Sequence, residues 1–470
     1  MLLLKNLRLG SHPGGRHGIA GGESRDAIGY AVAALNRLAR SDLLDRMGLR
    51  KQTEHAVFTL TRGGFRTATS AGRVFARAGK RGRAGHRAPH APSRGVFDLT
   101  PTDDEQMLVD VVTELATEIV RPAAVDADVA CAAPTEVLRA ADEIGLPLLG
   151  VPESLGGVSE ERAVLAGTLV AEALARGDLG LAVAALAPGA VATAIATWGT
   201  DEQQQTYLPA FTDPGADAGV PAASLALTEP RALFDALDPQ TTARRDGDAL
   251  VLDGVKSMVP RGAAAELFVV GARVLGGRGD PPGGANVLVI VEAGTAGLSV
   301  EADPAMGVRA ASLTTLTLDG VRVPESQVLG AVDGTTYAEC VRLSRIAWCA
   351  LSVGVGQAVL DYVTPYVKER QAFGEPIAHR QSVAFMVADI AIELQAMRLL
   401  TWKAAGRAAA GQDVARDVAL ARRLCAEKGM QIGLDGVQLL GGHGFVKEHP
   451  VERWYRDLRA ISIMEGGVLV

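Results

Sequence analysis

Three short segments hold the residues whose types and order could do chemistry. Leu227-Thr228-Glu229-Pro230 sets a hydroxyl beside a carboxylate. Glu369-Arg370-Gln371-Ala372-Phe373-Gly374-Glu375-Pro376, followed by Gln381, offers a permanent cation, an aromatic ring and an amide. Gln438-Leu439-Leu440-Gly441-Gly442-His443-Gly444-Phe445 carries a glycine pair, and Arg456-Asp457 and Ile463-Met464-Glu465-Gly466-Gly467 follow it. An arginine suits phosphate groups because it is always charged and forks toward two oxygens. Glycines let a backbone approach a large ligand closely. Glu465 is a carboxylate placed among the apolar residues Ile461, Ile463 and Met464. Each segment also has a plainer reading: a polar turn, a helix-end arginine, an exposed glutamate near the end of the sequence.

Other chemistries lack their residues. No phosphate-binding Walker loop, G-x-S-x-G elbow or H-E-x-x-H pair occurs, and no catalytic metal is expected. Gly354-Val355-Gly356 lacks the third glycine of a dinucleotide loop and sits in a helical apolar run. The four cysteines, Cys131, Cys340, Cys349 and Cys425, form no C-x-x-C pair, so free thiols in a reducing compartment are expected.

The elements that must position these residues follow from periodicity. Residues 102–210 read as helices with short breaks, opened by Asp103-Asp104-Glu105, whose charges suit a helix N-terminus. The uncharged run Leu179–Gly199, interrupted by Pro188-Gly189, reads as a buried helix pair with a bend, too rich in alanine to insert in a membrane. From Pro221 the period becomes that of strands. Asp253-Gly254 and Asp319-Gly320 each sit between apolar runs, the pattern of a hairpin turn. Leu267–Val270 and Val287–Val291 are apolar strand runs. From Gly334 the helical period returns, with Ile346–Leu360 as a core helix and Phe385, Ala388, Ile392, Ala396 and Leu399 on one face of the next. The order is helices, a small β domain, then helices, which disfavours βαβ architectures.

The 470 residues, 48% hydrophobic and 21% charged, suit about three domains of ~150 residues. Charge divides the chain. Residues 1–95 hold 18 Lys+Arg against 5 Asp+Glu, while the rest is acidic. The basic extension is expected to be partly helical, over 27–50, and partly disordered, with a flexible linker from Lys80 to Arg94. It fits a peripheral membrane or protein contact; without a reading module no nucleic acid is expected. Its start is too short in apolar residues for a secretory signal. A cytoplasmic location is expected, with peripheral membrane association or the mitochondrial matrix as the alternatives.

Taken in order and at matching spacing, the three segments resemble those of the acyl-CoA dehydrogenase family of FAD-dependent flavoproteins, over roughly residues 97–467. Gly145-Leu146-Pro147-Leu148-Leu149-Gly150-Val151-Pro152, Trp198-Gly199-Thr200-Asp201-Glu202-Gln203 and Met306-Gly307-Val308-Arg309 support it. The resemblance implies an acyl-CoA dehydrogenase-like fold, mainly α with a middle β domain: an N-terminal α-helical domain at 96–220, a β-barrel or sandwich domain at 221–330 and a C-terminal four-helix bundle at 331–470, with the basic extension at 1–95 outside it. It implies a homo-oligomer, dimer or tetramer, with FAD clasped partly by a neighbouring subunit. Carried over residue by residue, it puts Thr228 at the flavin pyrimidine and Arg370, Phe373 and Gln381 on FAD across a subunit contact. Gln438, Gly441 and Gly442 fall on the adenine-nucleotide side. Glu465 becomes the base that takes the α-proton of an acyl-CoA, its own N–H helping to meet the thioester oxygen, and Arg345 a residue near the acyl-CoA. The implied reaction is α,β-desaturation to the trans-2-enoyl-CoA, with an electron-transfer flavoprotein as the expected electron acceptor. Some relatives carry the base at the position of Ser344, which cannot serve as one.

The chain departs from the family pattern at several points. Arg231-Ala232-Leu233-Phe234-Asp235 replaces a G-x-G-S-D stretch, Met258-Val259-Pro260 replaces W-I-T, and Glu465-Gly466-Gly467 replaces E-G-T. Three residues follow, where relatives run on for another helical segment. These losses of hydroxyls motivate a second expectation, a catalytically silent member acting as a scaffold or membrane-associated partner.

Overall fold

The computed structural model describes residues 99–159, 163–214, 219–275 and 284–468. The expected helix at 27–50 and the basic linker lie outside the described residues. The body from Gly95 onward is one compact unit.

The helical part opens with α1 (Asp103–Leu115), capped by Thr102. The Thr102 hydroxyl accepts the Glu105 N–H, and the Glu105 carboxylate accepts the Thr102 N–H. A five-residue π-turn leads into α2 (Arg121–Ala130), then α3 (Thr135–Glu143), α4 (Val164–Ala175) and α5 (Leu179–Trp198). The expected helix pair is one continuous helix: Pro188 lies inside α5 without splitting it. Asp178 caps it by accepting the Leu181 N–H at 3.0 Å. This helix and the later Thr335–Glu369 are long and apolar enough to cross a membrane by length and composition alone. Both are mostly buried in the fold, and core helices meet the same criterion. The short α6 (Asp201–Tyr207) and α7 (Pro209–Thr212) complete this part.

The middle part is one eight-stranded sheet: β1 (Ala223–Ala226), β2 (Thr242–Asp246), β3 (Ala249–Val259), β4 (Leu267–Leu275), β5 (Ala285–Glu292), β6 (Leu298–Ala302), β7 (Thr314–Pro324) and β8 (Val328–Leu329). Their order is β6-β7-β3-β2-β4-β5-β8, with β1 parallel to β4. Neither Asp-Gly pair makes a hairpin. Both sit within the long antiparallel strands β3 and β7, whose register shifts between Leu252 and Gly254. The two interruptions face each other: Asp253 Oδ1 accepts the Gly320 N–H at 2.9 Å. A bulge and a hairpin turn call for the same permissive residues, and here the pairing with the neighbouring strand selects the bulge.

The last part holds three long helices, α8 (Thr335–Glu369), α9 (Gln381–Ala409) and α10 (Ala415–Leu440), then α11 (Val451–Leu458). A two-residue turn, Phe373-Gly374, joins the short strands β9 (Gln371–Ala372) and β10 (Glu375–Pro376) between α8 and α9. Gly354 is a packing position: a Cβ there would meet the Glu172 carbonyl at 2.1 Å, so it lets α8 cross α4 closely. The expected apolar face of α9 is not its core face. Phe385, Ile392 and Leu399 are 58%, 66% and 46% exposed, while Ile390, Leu394, Met397 and Thr401 are buried.

A buried ionic network locks the three parts together. The guanidinium of Arg456 pairs with both oxygens of Asp128 at 2.9 Å, and Arg453 pairs with Asp178 at 2.9 Å. Asp457 accepts the Val308 N–H at 2.7 Å, and a Cβ at Gly307 would meet the Arg456 carbonyl at 2.4 Å. Met306–Arg309 and Arg456-Asp457 therefore join one helical domain, the sheet and the other helical domain.

Candidate functional site

Two clusters of the expected residues form, at different places on the chain. The first is built around Glu465. After α11, a 3₁₀ turn (Arg459–Ser462) brings the chain back to the start of α8, and Glu465 adopts φ +56° there. A left-handed conformation costs a non-glycine residue of order 1–3 kcal/mol and persists only where its surroundings hold it. The surroundings here are two guanidiniums, one half-buried and one buried. Arg345, from α8, donates to the Glu465 carbonyl from Nε at 3.1 Å and Nη2 at 2.8 Å. Arg422, from α10, donates to the Met464 carbonyl at 2.7 Å and also to the Gly466 carbonyl. On the other side, the Gly467 N–H donates to the Phe234 carbonyl at 2.7 Å. The segment that replaces G-x-G-S-D thus buries the Phe234 ring and offers a backbone carbonyl to this loop.

The side chain that results is only 6% exposed. Ser344 Oγ donates to Glu465 Oε1 at 2.8 Å, while Oε2 is buried without a hydrogen-bond partner. Glu465 lines a cavity of about 110 Å³ together with Thr228, Ser257, Met258, Ser344, Trp348 and further apolar residues. One carboxylate oxygen is fixed and the other is a lone acceptor beside a cavity. That is the geometry of a base awaiting a proton from a bound molecule.

Thr228 lies in this cluster. Its hydroxyl accepts the Glu465 N–H at 3.2 Å, so the N–H expected to meet a thioester oxygen is engaged by Thr228 in this structure. Beneath Thr228, Glu229 and Lys256 form a buried ion pair at 2.8 Å. Glu229 also accepts the N–H groups of Gln240 and Thr241 and the Thr241 hydroxyl. Burial pushes the Glu229 carboxyl upward, but the Lys256 charge and these donors hold it below its ordinary range. Burial lowers the Lys256 ammonium, against the pull of Glu229. Removing one partner of such a pair typically costs about 3–5 kcal/mol, so the pair is a rigid floor for the site. Arg345 is not among the residues lining either cavity of the site; its Nε and Nη2 donate to the Glu465 carbonyl.

The second cluster is a cleft of about 510 Å³ between the β9–β10 turn and the end of α10. Arg370, Phe373, Gln438, Gly441 and Gly442 all line it, with Arg380 and His443. Gln381 does not; its neighbours Arg380 and Ser382 do. Gly441 ends α10 at φ +58° and ψ −134°, a conformation open to glycine, and a Cβ on Gly441 or Gly442 would meet nothing within 4 Å. Phe373 is 96% exposed at φ +56°, with Arg380 5.5 Å from its ring centre. Two guanidiniums, an open glycine floor and an exposed ring suit a ligand with a pyrophosphate and stacking rings. The residues present therefore fit FAD, and Ser257 and Thr228 supply hydroxyls in the Glu465 cavity where Pro260 and Gly467 supply none.

The sequence reading missed Ser257, Arg422 and the Glu229–Lys256 pair, and assigned Ser344 no role. It also found no metal-ligand spacing, whereas the fold brings ligand atoms of His443, Glu448 and His449 within 4.8 Å of one another.

Family models for the N-terminal, middle and C-terminal domains of acyl-CoA dehydrogenase match residues 102–213, 224–321 and 333–467. The chain is 33% identical over 374 residues to cyclohex-1-ene-1-carbonyl-CoA dehydrogenase of Geobacter metallireducens, covering 78% of this chain and 95% of that one. Butyryl-CoA dehydrogenase from Megasphaera elsdenii superposes with a TM-score of 0.71 at 28% identity, covering 79% of this chain and 97% of that structure. The FAD complex of PigA superposes with a TM-score of 0.71 at 25% identity, covering 79% and 96%.

Proposed function

Because the chain belongs to the acyl-CoA dehydrogenase family, we propose that it catalyses the α,β-desaturation of an acyl-CoA thioester with Glu465 as the base. The observation that carries this reading is the Glu465 carboxylate itself: buried, with Oε1 held by Ser344 and Oε2 unpartnered at the cavity wall.

The chain's own groups divide the work. Glu465 Oε2 accepts the α-proton, which the thioester acidifies. Ser344 keeps the carboxylate plane from turning away. Arg345 and Arg422 hold the loop so that the side chain need not be ordered during the reaction, which is where a positioned base gains over a mobile one. Leu225, Leu227, Trp348 and Met464 keep water from the carboxylate. FAD, when bound, supplies the acceptor for the β-hydride. Arg370, Phe373, Gln381, Gln438, Gly441 and Gly442 are its proposed contacts, with Thr228 at the flavin ring.

We read the FAD clasp as shared between subunits. Thr228 and the Arg370–Gly442 cleft line different cavities, and the exposed apolar stripe of Phe385, Ile392 and Leu399 gives α9 a face for a second copy. An electron-transferring flavoprotein is the proposed electron acceptor.

Purified protein is expected to show a flavin absorption band that bleaches when an acyl-CoA is added under an electron acceptor. Glu465→Gln should keep the flavin and lose at least about a hundredfold in turnover, the lower scale for removing general-base catalysis. Colourless protein that takes up no FAD, or full turnover in Glu465→Gln, would reject the reading. Light scattering that returned a monomer would reject the shared clasp.

A further inference from the structure

The Glu465 cavity does not end at Glu465. A second cavity of about 240 Å³ lies beyond it, and Ala171, Leu186, Ala190, Leu225, Ser344 and Ala347 line both. The two adjoin across these shared walls, with Glu465 lining the first and Trp198 the second. No charged side chain is among the described residues that line the second cavity. The hydroxyls of Thr168 and Thr193 are turned onto the carbonyls of Val164 and Gly189, at 2.7 Å each, which leaves methyl groups to the space. The Trp198 N–H is likewise satisfied, by Glu339 at 3.2 Å. An apolar space of this kind rejects polar ligands and accepts hydrocarbon.

One position makes the room. Gly167 lies inside α4, where a glycine costs helix stability relative to alanine. Packing does not require it: a Cβ built on Gly167 meets nothing within 4 Å, although the residue lines the cavity. Gly150, Gly189 and Gly354 differ, since a Cβ there would approach neighbouring atoms at 2.0, 3.2 and 2.1 Å. Gly167 is therefore a glycine whose missing side chain is empty space in the cavity wall.

An apolar cavity of ~150 Å³ takes up a benzene, six carbons, so 240 Å³ corresponds to about ten. We propose that this space receives the saturated tail of the acyl group. The chain then prefers thioesters of roughly ten to twelve carbons over butyryl, with Gly167 setting the limit. This rests on the dehydrogenase reading only in taking the Glu465 end as the reacting end.

The test separates the two. FAD-loaded protein is titrated calorimetrically with S-butyl-CoA and S-dodecyl-CoA, thioethers that have no acidified α-hydrogen and cannot react. Each methylene withdrawn from water is worth up to about fourfold in affinity. S-dodecyl-CoA is expected to bind at least twentyfold more tightly, and Gly167→Leu, which helix propensity favours, to cut that ratio at least tenfold. Gly167→Ala should give an intermediate ratio, guarding against a folding defect in the leucine variant. A wild-type ratio below twentyfold, or one that Gly167→Leu leaves unchanged, overturns the proposal whether or not any acyl-CoA bleaches the flavin. Failure of every acyl-CoA to bleach, with the ratio intact, would overturn the reaction and keep the tail site.

Discussion

Ser344 and Glu465, 121 residues apart in sequence, meet at 2.8 Å, with the hydroxyl donating to Oε1 of the carboxylate. The contact decides which oxygen is available. A hydrogen bond to a charged group contributes about 1.5–3 kcal/mol, enough to hold one rotamer against its competitors. Ser344→Ala is expected to lower kcat by about ten- to a hundredfold while KM and flavin content change little. Ser344→Thr, which keeps the hydroxyl, should recover most of the loss. Equal falls in kcat for both variants would make Ser344 a packing residue instead.

Arg422 acts on the same carboxylate from behind. Its Nη2 serves the carbonyls of Met464 and Gly466, yet its Nε and Nη1 are buried without partners. Burial, with the nearby Arg345 charge, pushes its pKa down to about 10. Removing it has two opposed effects on stability: two carbonyls lose a donor, at about 1–3 kcal/mol each, and a poorly solvated cation disappears. These nearly offset, so Arg422→Met should change stability by less than about 2 kcal/mol. The loss should appear in kcat, at least tenfold, because Glu465 at φ +56° loses part of its clamp. Unchanged kcat in a well-folded Arg422→Met protein would remove Arg422 from the positioning of the base.

Phe373 offers the reverse trade. A phenylalanine that is 96% exposed in the left-handed region has no folding benefit to set against a strain of about 1–2 kcal/mol. Phe373→Gly relieves that strain and adds unfolded-state entropy of similar size, so flavin-free stability should move by less than about 1 kcal/mol. Stacking of a ring on an aromatic side chain is worth about 1–3 kcal/mol, so FAD should bind about tenfold or more weakly. Undiminished FAD affinity would mean that the ring points at something else.

Much of the site was legible because the residues that carry it are short, ordered motifs. What was not legible shares one cause. Periodicity tells which residues share a face of α9, not which face the chain buries: Phe385, Ile392 and Leu399 do share one, and Ile390, Leu394 and Met397 form the other, inner one. Asp253-Gly254 and Asp319-Gly320 carry the residues that a turn needs, and a bulge needs the same ones; only the partner strand decides. Ser344 looked inert because a serine is no base, and its use as a donor to the Glu465 carboxylate depends on a contact between α8 and the loop after α11. Arg345, expected near the ligand, also serves a backbone carbonyl, a partner that leaves no trace in side-chain spacing.

The ionic seam between the domains predicts a dependence on pH. Burial, and then the neighbouring carboxylate Asp178, push the Asp457 carboxyl up to about 8, against the N–H of Val308 and the charges of Arg456 and Arg453. In the unfolded chain an aspartate titrates near ~3.9. Between about pH 4 and pH 8 the folded protein keeps a proton that the unfolded chain has lost, so stability falls as pH rises through that window. Asp457→Asn retains an oxygen to accept the Val308 N–H and has no proton to lose. The difference in melting temperature, variant minus wild type, should therefore rise with pH. At pH 9 the variant should be the more stable by at least about 2 °C, the scale that a 1 kcal/mol change sets in proteins of ~200 residues. At pH 5 the advantage should vanish or reverse. A difference that stays constant from pH 5 to pH 9 would show that Asp457 is ionised in the fold across the whole range, held so by Arg453 and Arg456.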